Sequence, residues 1–135
     1  MKKFAAALLI VACSVGAANE PNVKLKAEDL AGDLSGIYKV VGQSPQGEEY
    51  RGTLALEAGP QGMYLAFWTT RASTIPGVGH RKGDTITFGW GTQAIRGLTV
   101  YTVEKGKTLR GRYLSLPGVA EWKEEVATFL GVLED

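Results

Sequence analysis

The sequence predicts an all-β fold: a small up-and-down antiparallel barrel of about eight strands, preceded by a short N-terminal arm or helix. Two observations carry this. Turn residues return about every twelve positions from Gly36 to the C-terminus. Between them lie short runs of valine, isoleucine, leucine, threonine and aromatics, which read as hairpin-linked strands. Closure into a barrel removes the exposed edges that such strands leave in an open sheet. The 135 residues amount to one domain.

The N-terminus reads as an export signal over residues 1–18. Met1-Lys2-Lys3 is followed by the apolar run Phe4 to Ala12 and then small residues to Ala18, the three regions of a secretory signal. The apolar run is far short of the roughly 20 residues of a membrane-spanning helix. Two processing routes stand open. Gly16-Ala17-Ala18 before Asn19 suits ordinary signal peptidase, whereas Ile10-Val11-Ala12-Cys13 resembles a bacterial lipobox and makes Cys13 a candidate lipidation site. Cys13 is the only cysteine, so no intrachain disulfide contributes to stability. Residues 19–35 read as a linker or short helix. Leu25, Leu30 and Leu34 line one side of a helix around 27–34, which Gly32 weakens.

The barrel domain is expected over residues 36–135. Its strands are expected at 36–41, 49–57, 62–69, 73–81, 84–91, 95–103, 107–116 and 122–130. The fourth carries Pro76, Gly77 and Gly79, which argues for a distorted or edge strand. Alternation assigns faces. Ile86, Phe88 and Trp90 share one side; Leu109, Gly111 and Tyr113 oppose Arg110 and Arg112; Tyr50, Gly52, Leu54 and Leu56 oppose Arg51, Thr53 and Glu57. The third strand is apolar on both sides, so residues 25–34 are expected to cover its outer face. Arg51, Arg96, Arg110, Arg112 and Glu125 interrupt any lipid-facing apolar band, which argues against an outer-membrane barrel.

Charge excludes little but is informative. Loss of residues 1–18 removes Lys2 and Lys3 and takes the formal charge from +1 to −1. A near-neutral domain has no field to draw it to nucleic acid. Any membrane association is expected only through a lipid anchor at Cys13.

Catalytic and metal motifs are weak. His80 is the only histidine. Asp84 and Ser73 are near it in sequence, but nothing sets a nucleophile beside it, and Arg81 and Lys82 suggest an exposed turn. Metal-ligand spacings are missing, and no cofactor is expected. Gly77-Val78-Gly79-His80-Arg81-Lys82-Gly83 fits neither phosphate-loop spacing, and no helix follows it. Glu48-Glu49 and Glu124-Glu125 read as wet surface charges, and adjacent strand residues point to opposite faces.

A glycine two positions from an aromatic recurs in Gly36-Ile37-Tyr38, Tyr50-Arg51-Gly52, Gly62-Met63-Tyr64 and Gly111-Arg112-Tyr113. It fits barrel curvature, and it also fits phenols that line a pocket. Leu34-Ser35-Gly36-Ile37-Tyr38 and Gly111-Arg112-Tyr113 resemble the glycine–aromatic strands of the calycin barrels, the lipocalin and avidin group. That resemblance spans roughly residues 34–130 and implies a small-ligand binder. The chain departs from it in having Tyr38 where tryptophan is usual and in showing no long lid loop. The expectation is therefore an exported, non-enzymatic binding protein. Its ligand is small and apolar or amphipathic, held at the barrel mouth by Tyr38, Tyr50, Trp90, Tyr101 and Tyr113. The alternatives are a protein-binding module, such as an inhibitor of an exported hydrolase, and an envelope protein with no small ligand.

Overall fold

The structure is a computed structural model that describes residues 32–117 and 121–132. The expected signal, the Cys13 site and most of the expected 27–34 helix lie outside the described residues. Eight strands follow in order: β1 Gly36–Gln43, β2 Glu49–Ala58, β3 Met63–Thr69, β4 Thr74–Lys82, β5 Thr85–Gly91, β6 Arg96–Glu104, β7 Thr108–Leu116 and β8 Lys123–Gly131. Each pairs antiparallel with the next, and β8 returns to pair with β1, closing the barrel. A single 3-10 turn at Pro60–Gly62 joins β2 to β3.

The predicted strands match these within a few residues, with one correction. β4 is neither an edge nor a break; it is hydrogen-bonded to β3 and β5. Pro76 is accommodated because its partner lies only on β3, opposite Phe67, and the β4–β5 ladder begins one residue later at Gly77. A missing N–H at the end of a ladder costs no bond.

The two ends of the barrel differ. At the end where β2 meets β3 and β6 meets β7, the interior is solid. Leu34, Tyr38, Leu54, Leu56, Ile86, Phe88, Leu109 and Ala127 are fully buried there. Leu34 is the plug: its N–H donates to Tyr64 Oη at 3.1 Å, and its carbonyl accepts from Tyr38 Oη at 2.7 Å. An Arg81 guanidinium hydrogen bond to the Gly32 carbonyl and a turn in which Ser35 N–H reaches Asp33 Oδ1 at 2.9 Å hold the plug segment in place. This corrects the expected role of Leu34. It fills the end of the barrel and leaves the outer face of β3, where Phe67 is exposed; residues 25–31 of that expected cover lie outside the described residues.

Glycines let the barrel curve, and their aromatic partners are opposed across strands. Gly42 faces Tyr50, Gly79 faces Phe88, Gly97 faces Trp90 and Gly111 faces Tyr101 in the ladders. Of the glycines in the spacing-of-two pattern, Gly111 has such a partner, whereas Gly36 and Gly52 pair with Leu56 and Val40. Gly97 shows the constraint against a ring. A Cβ there would meet the Leu114 carbonyl oxygen at 2.1 Å and the Trp90 ring at 2.4 Å. The ring lies on bare backbone, a device that seals a bent sheet.

Leu34→Ala is expected to cost about 2–5 kcal/mol, the usual range for truncating a fully buried leucine. Leu98→Ala, at a site 49% exposed, should change stability by no more than about 0.5 kcal/mol. Urea denaturation followed by circular dichroism separates the two; equal losses would mean that Leu34 does not plug the barrel.

Candidate functional site

The interior is hollow at the other end. A cavity of about 600 Å³ opens there among the β1–β2, β3–β4 and β5–β6 turns and the chain after β7, with Pro45, Thr70, Ile95 and Pro117 at its rim. Tyr50, Trp68, Trp90, Tyr113, Thr99 and Glu125 line it more deeply. The size is that of an ordinary small-molecule site.

The wall is built of four rings, each on an inward-facing strand position. Tyr50 contacts Tyr113 at a ring separation of 6.4 Å, Tyr113 contacts Trp90 at 6.2 Å, and Trp90 contacts Trp68 at 6.4 Å. The interplanar angles are 59–70°, as edge-biased aromatic packing favours. Both ends of this chain of rings meet at one carboxylate. Tyr50 Oη donates to Glu125 Oε1, and Trp68 Nε1 donates to Glu125 Oε2 at 3.1 Å. Tyr101, beneath the floor, donates its hydroxyl to the same Oε2. Glu125 is only 4% exposed.

This corrects the expectation that Glu125 is a wet surface charge interrupting the barrel's outer face. On β8 the inward positions are Lys123, Glu125, Ala127 and Phe129, fixed by the partners Tyr113, Gly111, Leu109 and Tyr38. Glu124 is the residue that faces solvent. Burial raises the Glu125 pKa; the hydrogen bonds from Tyr101, Tyr50 and Trp68 oppose that rise. The same burial, followed by the nearby carboxylate, raises the phenols of Tyr50 and Tyr101 and pushes Tyr113 up to about 12. All three remain protonated donors at neutral pH.

The five predicted site residues divide. Tyr50, Trp90 and Tyr113 line the cavity. Tyr101 is fully buried and acts on the site through Glu125 and through Trp68, whose Nε1 donates to its hydroxyl at 3.1 Å. Tyr38 does not join them: it lies at the solid end, bonded to Leu34 and edge-on to Phe129 at 5.3 Å. Trp68 and Glu125 are the members that sequence reasoning missed. His80 is exposed on the outer wall of β4, opposite Met63 and Thr87. Among the described residues no group of three or more His, Cys, Asp or Glu side chains is placed to hold a metal ion.

No protein-family model matches the chain, and no curated protein matches it significantly. Among solved structures, one described as a redesigned β-barrel superposes with a TM-score of 0.61 at 11% sequence identity, covering 76% of this chain and 96% of that one. At that identity the likeness shows the fold alone.

Because burial raises the folded-state pKa of Glu125 above 4.5, the stabilising contribution is present below that value and is lost as pH rises through the folded pKa. Relative to Glu125→Gln, the wild-type protein should therefore lose thermal stability as pH rises from about 4.5 into the neutral range. The groups facing the carboxylate are Tyr50, Trp68 and Tyr101, and Tyr113 lies within its field. None of the three phenols titrates in that window. Melting temperatures of both proteins across it check the sign; a difference that stays flat would mean that the donors cancel the burial cost.

Proposed function

We propose that the protein is a non-catalytic binder of a small amphipathic molecule held in the open half of the barrel. The observation that carries this is the cavity itself: about 600 Å³, walled by Tyr50, Trp68, Trp90 and Tyr113 around the buried polar side chains of Glu125 and Thr99. A barrel of this size has side chains enough to fill itself, and here they fill one end only. An apolar pocket with a few convergent polar groups is the usual form of a small-ligand site. The calycin-like mode, ligand inside the mouth of a small barrel, accords with this position. Binding without catalysis is the simpler reading because the lining, among the described residues, includes one carboxylate and no histidine, cysteine or lysine.

Export is proposed from residues 1–18. Sequencing the processed chain from bacterial envelope fractions should find Asn19 first, or a lipidated Cys13; an intact Met1 in the cytoplasm would exclude both.

A screen of lipophilic and aromatic compounds should shift tryptophan emission. Trp90→Phe should remove much of the shift, whereas Trp122→Phe, at an outer site 40% exposed, should leave it intact. Tyr113→Ala should weaken binding by about 1–3 kcal/mol, through loss of a ring and its hydroxyl. If no compound shifts emission, a protein partner becomes the better reading. Its surface would be the outer wall, where exposed Val78 and Leu98 flank Gly89 on neighbouring strands.

A further inference from the structure

We propose that the molecule held in this cavity carries a positive charge, an amine or quaternary ammonium group seated among the four rings against Glu125. The inference rests on the binding reading above and adds the chemical class of the ligand.

The starting point is the chemistry of the floor. Glu125 lines the cavity, yet among the described residues its hydrogen-bond partners are all neutral donors, Tyr50, Trp68 and Tyr101. A carboxylate offers about four acceptor sites. Trp68 and Tyr101 occupy Oε2, and Tyr50 alone takes Oε1, so Oε1 retains capacity on its side. Among the described residues no basic side chain pairs with Glu125. Lys123 lies on the same inward face of β8, but its ammonium is 3.8 Å from Glu121. An ionised carboxylate in an apolar enclosure is costly without a counter-charge. A neutral apolar ligand would strip water from it and make that cost greater. An anionic ligand would add repulsion. An amine cation supplies both a donor for Oε1 and the counter-charge that the site lacks.

The walls agree with the floor. The faces of Trp and Tyr carry the negative lobe of the ring quadrupole, and cations bind over them within about 6 Å of the centroid. The rings of Tyr50, Tyr113, Trp90 and Trp68 stand at 59–70° to their neighbours. They therefore enclose the space from several directions rather than stacking as one slab. Val40, Ile75 and Ile95 extend the lining with aliphatic surface, which suits an apolar body attached to the charged head.

The test uses the full chain and three soluble compounds with one phenylethyl body: 2-phenylethylamine, 2-phenylethanol and 3-phenylpropionate. By isothermal titration calorimetry near neutral pH, the amine should bind at least about tenfold more tightly than the alcohol. The acid should bind more weakly than either. Glu125→Gln should bring amine and alcohol within about threefold of each other. Trp90→Leu, which leaves the Glu125 hydrogen bonds in place, should weaken the amine more than the alcohol, so the inference stays testable if Glu125→Gln folds poorly. Alcohol binding as tight as amine binding in the wild-type protein overturns the cationic inference and leaves small-ligand binding standing. So does a screen that yields only neutral or acidic binders. Failure of all three compounds, together with a silent emission screen, overturns both.

Discussion

The hydrogen-bonded carboxylate of Glu125 is the interaction on which the open half of this barrel depends. A charge-bearing group 4% exposed must be hydrogen-bonded. The donors come from β2, β3 and β6, while Glu125 itself is on β8. One side chain thus ties strands from around the barrel at the level where the solid core stops. It also fixes the ring positions of Tyr50 and Trp68, since each aims its polar tip at the carboxylate. Removing a donor would leave the acceptor buried and short of a partner, which is dearer than never having built the pair.

A hollow end demands compensation from the other end. The cavity gives up the dispersion contacts that a filled interior would make. The plug offsets this: Leu34, Tyr38, Tyr64 and Phe129 close the lower end, and Leu54, Leu56, Ile86, Phe88 and Leu109 pack above them. Closure of β8 onto β1 leaves no strand edge unpaired. The glycines opposite Tyr50, Phe88, Trp90 and Tyr101 permit the curvature that closure needs, and the rings cover the backbone they expose. Tyr50 and Trp90 thereby serve twice, sealing the sheet and walling the cavity.

Most of the fold was legible because strands such as β2, β5 and β7 obey the simple alternation. In β5, Ile86, Phe88 and Trp90 point inward and threonines point out; in β2 and β7 the arginines mark the outer face. The eighth strand inverts the signal. Its inward face carries Lys123 and Glu125 before Ala127 and Phe129, while Trp122, Val126 and Leu130 stand outside. Hydropathy alone therefore assigns Glu125 to solvent, and only the register against Gly111 places it inside. Tyr38 failed for a different reason. A tyrosine in the first strand reads the same whether it lies near the mouth or the plug, and its depth follows from pairing with Phe129 and Leu54. Trp68 was hidden by a strand apolar on both faces, where periodicity has nothing to say. Which end stays hollow is likewise a matter of volumes summed over eight strands, and no local pattern encodes it.

Every ring in the wall has its polar tip anchored. Tyr50 and Trp68 are held by Glu125, Trp90 donates to Thr99 Oγ1 at 2.7 Å, and Tyr113 donates to the Gln43 carbonyl. Aromatic side chains have few rotatable bonds, and these anchors fix the ones they have. The rings are thus prevented from folding inward to fill the space. A molecule that enters meets walls already in place, so little side-chain freedom is lost on binding. The arrangement that makes the cavity costly to maintain is the same one that makes it ready to be occupied.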